Sequence, residues 1–213
     1  LWWNNIKPVF VDIEPDYFNI NPDKIESAIT PKTTAIMPVH VYGNPCNNAA
    51  IERIAQKHGL KVLYDAAHAF GCGHNDGPVG GFGDAEVFSF HATKFFNTFE
   101  GGAIVCHDEK TKKRIDFLKN FGFADEVTVV GPGIKAKMNE LQAAFGLVQL
   151  RHIDDYIMRC GKLAGIYRER LLGIKGLRLP VEALGVRHSH TSFPVLVDEK
   201  EYGESRDAVY DRL

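Results

Sequence analysis

The chain has 213 residues, 45% hydrophobic and 24% charged, which is enough apolar material for a sizeable core and excludes a disordered segment. Its 25 basic and 27 acidic residues leave a net charge of −2, so there is no basic footprint for nucleic acid, and no helix-turn-helix or zinc-finger spacing occurs. No apolar run approaches the roughly 20 residues that cross a bilayer, and no basic-then-apolar leader opens the sequence, so the expectation is a cytoplasmic protein with no membrane partner.

The first residues, Leu1-Trp2-Trp3, lack a methionine, and the last, Asp211-Arg212-Leu213, fall inside a helical pattern with no stop signal. Both ends are therefore expected to lie within a longer protein. The four cysteines, Cys46, Cys72, Cys106 and Cys160, contain no C-x-x-C pair, so they are read as reduced thiols. His68, Cys72 and His74 could be taken for metal ligands, but they lack a fourth partner at a recognised spacing, and no metal is expected.

Val9 to Ile13 reads as a buried strand ended by the turn Glu14-Pro15-Asp16. Asn21-Pro22 signals a helix start, with a capping side chain followed by a proline in the first turn, and the helix is expected to run to about Ile29. Thr34 to Val41 is the next strand, closing in a polar loop from His40 to Pro45 in which Tyr42 can line a crevice or simply pack. Ala49 to His58 has helical spacing and stops at Gly59. Lys61 to Tyr64 follows as a strand that delivers Asp65 and His68 into a loop. Strand, helix, strand in short order predicts parallel pairing and a doubly wound α/β sheet.

The segment from Gly71 to Gly83 contains six glycines but no G-x-G-x-x-G, and it leads towards a strand, so it reads as a surface loop and not as a dinucleotide site. Glu86 to Phe90 alternates like a strand, Gly101 and Gly102 break the chain, and Ala103 to Cys106 resumes a β run. Lys94 lies between them, just past a strand end, where open α/β sheets hold their ligands. A charged helix is expected from Asp108 to Asn120. Met138, Leu141, Ala144, Phe145, Val148, Leu150 and Ile153 recur at helical spacing, predicting one long helix or two joined helices to about Leu172 with this stripe in the core. Beyond Gly176 short β runs such as Ser192 to Val197 suggest a smaller α+β domain.

A lone lysine is usually a solvated surface charge. Lys94 is distinguished by its company: Asp65 at one strand end and Ser89 five residues before the lysine. A lysine amine that can hold an aldehyde covalently, a carboxylate for a pyridine nitrogen and a hydroxyl for a phosphate are what pyridoxal phosphate requires.

The D-x-A-H of Asp65 to His68, the S-x-x-x-x-K of Ser89 to Lys94, and the E-G-G-A that follows resemble fold type I pyridoxal-phosphate enzymes, and among them the nucleotide-sugar aminotransferases of the DegT/StrS group. The resemblance runs from PVFVDIEPDYFNI at Pro8 to KMNELQAAFGLVQL at Leu150. It implies the mostly parallel large domain of a fold type I transferase over residues 1–135, preceded by a segment absent here, a helical connection over 136–175, and the start of a small domain over 176–213.

It also implies roles for individual residues. Lys94 is the cofactor-binding and proton-moving amine, and Asp65 the partner of the pyridine nitrogen. Ala67 lets the ring lie against the backbone, His68 contacts the phenolic oxygen, and Ser89 contacts the phosphate. Family members commonly carry an asparagine in G-x-N-x-[K/R]-M that reaches the phosphate across a homodimer; here Lys135 stands in its place, and it can meet that phosphate or point to solvent.

The resemblance further implies transfer of an amino group from glutamate to a keto group of a nucleotide-linked deoxysugar. The H-A-T-K form of the lysine motif is closer to members acting at C4 than at C3, and Lys94 argues against the dehydratase branch, which carries histidine there. The alternatives are another fold type I enzyme acting on amino acids, which should lack K-M-N-E-L-Q-A-A, and a cofactor-binding regulatory module without turnover.

Overall fold

The computed structural model describes residues 1–75 and 77–213. Helix α1, Pro22–Ala28, begins as expected: Asn21 caps it by accepting the Asp23 N–H at 3.0 Å, with Pro22 in the first turn. Strand β1 is only Ala35–Ile36, shorter than the expected Thr34 to Val41; after it a single bridge from Val39 to Asp65 continues the pairing, and Val41–Gly43 turns as a 3₁₀ helix. Helix α2, Asn48–His58, is capped by Asn47 and closed by Gly59 at φ 64°.

Strand β2, Lys61–Asp65, lies parallel to β1. Residues 71 to 83 are not a plain loop, because β3, Gly73–His74, and β4, Gly77–Pro78, pair antiparallel there; Asp76 is outside the described residues. Strand β5, Ala85–Ser89, pairs parallel to β2, and β6, Gly102–Cys106, pairs antiparallel to β5, giving the order β1-β2-β5-β6. The sheet is mixed and mostly parallel, as the α/β reading anticipated.

Helix α3, Glu109–Lys119, is capped by Asp108. The expected long helix is two: α4, Glu140–Leu150, starting with a capping box between Asn139 and Gln142, and α5, Ile153–Leu171. The rest comprises β7, Leu177–Arg178, paired with β8, Leu196–Val197, then α6, Glu199–Tyr202, and α7, Arg206–Arg212. The strand expected from Ser192 is thus confined to its last two residues.

Two expectations are corrected. Val9 to Ile13 is extended but not a strand: among the described residues only Ile13 bridges to Ile20, and Phe10 is 92% exposed, because no neighbouring strand offers this segment a ladder. The apolar stripe of α4 is not core within this chain; Leu141 is 82% exposed, and Leu147 and Val148 are also open. Periodicity identified an apolar face that is covered only in part among the described residues, where Phe145 stacks on Phe99 at 4.5 Å.

The core lies between α1, α2 and the sheet, where Ile25, Ile36, Ile51, Ala55, Val62 and Tyr64 pack together. A second cluster, Ala66, Ala69, Cys72, Val79 and Phe88, sits under the loop after β2. These clusters fix the carboxyl ends of β2 and β5 side by side, with Asp65 in register with Val87.

Candidate active site

Asp65 is the last residue of β2 and Ser89 the last of β5, so the loops that follow both strands open on the same sheet edge. After β2 the chain turns tightly: Asp65 Oδ1 accepts the Ala67 N–H at 2.9 Å, and Ala66 is fully buried. Oδ2 of Asp65 has no hydrogen-bond partner among the described residues. After β5, the Lys94 N–H donates to the His91 carbonyl at 2.9 Å, and Asn97 Nδ2 donates to the Lys94 carbonyl at 3.0 Å. The Lys94 backbone is thereby held on both sides, while among the described residues no ion pair engages its amine.

Ala67, His68, Ser89 and Lys94 line one cavity of about 230 Å³, together with Phe70, Thr93, Phe95, Thr191 and Ser192. Burial holds the His68 imidazole below its ordinary pKa, the Lys94 charge lowers it further, and the Asp65 carboxylate partly opposes both. Both charges thus reach His68. Asp65 itself is not part of the cavity wall. His68 Nδ1 is buried without a partner, and the ring lies parallel to Tyr42 at 6.2 Å between centroids.

Lys135 is elsewhere: it is exposed, bridges through its backbone to Asn120, and is not among the residues lining this chain's cavity. Among the described residues, no three His, Cys, Asp or Glu side chains gather closely enough to hold a metal ion. His74 lies on β3, away from the cavity wall that includes His68.

Thr191 and Ser192 were missed by sequence reasoning, since nothing near them marks a site. Tyr42 was noted only as a loop aromatic. Its φ of 55° turns the ring onto His68, a conformation hinted at by the glycine that follows it.

The residues present suit pyridoxal phosphate. An amine, a hydroxyl and a small alanine share one cavity, a carboxylate oxygen is left open at the adjoining strand end, and an imidazole nitrogen is buried without a partner.

Comparison with known proteins agrees with this geometry. The family model described as the DegT/DnrJ/EryC1/StrS aminotransferase family matches residues 1–213. A dTDP-4-amino-4,6-dideoxy-D-glucose transaminase of Shigella dysenteriae is 50% identical over 210 residues, covering 99% of this chain and 57% of that protein. The spore coat polysaccharide biosynthesis protein SpsC of Bacillus subtilis is 39% identical over 97% of this chain and 56% of its own length. Among solved structures, DesI, determined in the presence of its TDP-sugar product, superposes with a TM-score of 0.92 at 41% identity, covering 99% of this chain and 54% of DesI. The chain thus spans about half the length of the curated relatives it matches. It has the fold of these structures, and it belongs to the DegT/DnrJ/EryC1/StrS aminotransferase family.

Proposed function

We propose that this chain carries the catalytic lysine region of a pyridoxal-phosphate-dependent transaminase that moves an amino group from glutamate to the C4 keto group of a nucleotide-linked 6-deoxysugar. The observation that carries the reading is the cavity shared by Lys94, His68 and Ser89 beside the open carboxylate oxygen of Asp65. The names of the Shigella relative and of DesI, with its TDP-sugar product, support the substrate class.

Pyridoxal phosphate, when bound, supplies an aldehyde for covalent attachment and a ring that withdraws electrons from the substrate's alpha carbon. Lys94 would hold that aldehyde covalently, and its free amine would move a proton at the substrate's alpha carbon, acting as base and then as acid. Asp65 would keep the pyridine nitrogen protonated, Ser89 would donate its hydroxyl proton to the phosphate, and His68 would serve the phenolic oxygen. Ala67 leaves room for the ring to lie against the backbone.

The division into a cofactor domain over 1–135, a helical connection over 136–175 and a small domain from 176 belongs to the same proposal, supported by the separate β7–β8 pairing. A homodimer is supported by the apolar residues Leu141, Leu147 and Val148 on the open face of α4, and in such a dimer the exposed Lys135 would be available to a partner's phosphate. A cytoplasmic location is supported by the four free cysteines, which suit a reducing compartment.

Borohydride reduction of the intact, cofactor-loaded protein, followed by peptide mapping, should label Lys94. Replacing Lys94 with alanine should lower amine transfer from glutamate to the 4-keto precursor of dTDP-4-amino-4,6-dideoxy-D-glucose by about 10³-fold. Labelling at another lysine, or turnover of amino acids with no sugar product, would overturn the proposal.

A further inference from the structure

The wall of the cavity that does not come from the sheet edge is made by Thr191 and Ser192, which belong to a strap over residues 187–193. Nearly every other residue of that strap is tied down. Arg187 exchanges two backbone hydrogen bonds with Gly73 at 2.9 Å each, and its guanidinium reaches Asp154 at 2.9 Å. His188 Nδ1 accepts the His190 N–H at 2.8 Å, while the same ring hydrogen-bonds the backbone of Tyr42. Ser189 is fully buried, its hydroxyl accepting from Cys72 Sγ at 3.2 Å.

His190 adopts φ 53°, the left-handed region that a residue with a Cβ seldom occupies, and its ring faces Glu182 at 3.9 Å. Phe193 stacks on Tyr167 at 5.6 Å with the Arg168 guanidinium 5.7 Å from its ring centre. Thr191 and Ser192 are the exceptions: among the described residues, neither hydroxyl has a hydrogen-bond partner, and these two residues are the ones that line the cavity.

The chemistry of that wall selects a ligand class. Lys94 is the one ammonium group in the lining, and His68 is held towards its neutral form by burial and by Lys94. The strap adds the hydroxyls of Thr191 and Ser192 to a lining that also includes the phenyl rings of Phe70 and Phe95. Apart from Lys94, the lining offers no guanidinium or ammonium to a carboxylate. A sugar ring suits it, since its hydroxyls can bond to the threonine and serine while its C–H surface and deoxy methyl lie against phenyl edges.

We propose that Thr191 and Ser192 hold the sugar ring of the acceptor through hydrogen bonds to its hydroxyl groups, orienting the keto carbon towards Lys94. This deepens the transaminase reading and rests on it. The strap's anchors fix the two hydroxyls before substrate arrives, which reduces the ordering cost of binding.

The test uses the intact protein loaded with pyridoxal phosphate, in the wild-type form and as Thr191→Val, Thr191→Ser and Ser192→Ala. Each is titrated calorimetrically with dTDP-4-amino-4,6-dideoxy-D-glucose and with dTDP alone, and the absorbance change on adding glutamate is followed separately. Thr191→Val and Ser192→Ala should each weaken the amino-sugar nucleotide by about 5- to 10-fold, the worth of one hydrogen bond, with Thr191→Ser close to wild type. Binding of dTDP and the glutamate reaction should stay within about twofold of wild type. Unchanged amino-sugar affinity would overturn the inference, as would an equal loss for dTDP or glutamate, which would make the strap a scaffold only. Wild-type protein that neither binds nor aminates the sugar nucleotide would sink the transaminase reading itself, a failure visible before any substitution is made.

Discussion

His40 and Glu86 face each other in the interior with Nε2 and Oε2 3.6 Å apart and both side chains wholly buried, each next in sequence to a residue paired with Asp65, Val39 and Val87. Each is held by backbone donors. Glu86 accepts the Gly80 N–H at 2.8 Å through one oxygen and the Phe82 N–H at 2.6 Å through the other, and His40 Nδ1 accepts the Cys46 N–H at 3.0 Å. Nδ1 is thus an acceptor, so the neutral ring carries its proton on Nε2, pointing at the carboxylate. The ring also lies flat on Tyr64, at 5.0 Å between centroids.

Glu86→Ala would leave two part-buried N–H groups without the carboxylate and should cost about 2 to 4 kcal/mol. Glu86→Gln keeps one acceptor oxygen and turns an amide NH₂ against the other N–H, so it should cost about half as much. Urea unfolding midpoints of the two variants check this; equal costs would mean that the paired backbone donors are not what the carboxylate serves.

Gly43 links the same loop to the active site. Its φ is 91°, and a Cβ added there would stand 3.0 Å from the His68 carbonyl oxygen, 3.1 Å from Cys72 Sγ and 3.4 Å from His188 Nε2. Gly43→Ala therefore combines a backbone conformation that disfavours a side chain with crowding against backbone that cannot move aside. A loss of about 2 to 3 kcal/mol is expected, read as a lowered Tm, together with a displaced His68 imidazole resonance. Gly59, at φ 64° with nothing within 4 Å of the added carbon, is the control and should lose only the conformational part, about 1 kcal/mol.

Much of this arrangement was legible in the sequence because it is local. Asn21-Pro22, Asn47 and Gly59 announce helix ends through their own side chains or lack of one, and the lysine between two β runs places itself at a strand end. The unread parts depend on chain brought in from a distance. Val9 to Ile13 has strand composition, but a strand exists only with a neighbour, and among the described residues it has only the Ile13 to Ile20 bridge. The stripe on α4 revealed an apolar face without saying what covers it. Thr191 and Ser192 carry no motif, and they reach the cavity because Arg187 and Ser189 are anchored on Gly73 and Cys72, and Phe193 on α5.

Asp65 and Lys94 act on His68 with opposite signs, which gives a readout independent of turnover. Asp65→Asn keeps an oxygen for the Ala67 N–H, so stability should change by less than about 1 kcal/mol, but it removes the charge that raises the His68 pKa. The His68 titration midpoint should move down in Asp65→Asn and up in Lys94→Ala, followed by NMR of the imidazole. Amine transfer should fall by about 100-fold or more in Asp65→Asn, because an uncharged amide no longer favours a protonated pyridine nitrogen. Shifts of the same sign in the two variants would mean that the charges do not meet at His68.

His188 makes the strap sensitive to acid. Burial, with the neighbouring His190 and Arg168 adding to it, pushes its pKa down to about 4, against opposing contributions from Glu182 and the Tyr42 backbone. Above pH about 6.5 the ring is neutral both folded and unfolded, and the stabilisation is fully present. As pH falls from there towards 4, the unfolded chain gains a proton that the folded ring does not take, so stability is lost, to a total on the order of 3 kcal/mol. Below the folded value the ring itself protonates, Nδ1 can no longer accept the His190 N–H, and the strap should loosen at Thr191 and Ser192. His188→Asn keeps an acceptor near that N–H but does not titrate. Between pH 7 and pH 5 the wild type should therefore lose about 2 kcal/mol more in urea unfolding than His188→Asn does. Parallel pH profiles for the two proteins would show that another group carries the acid sensitivity.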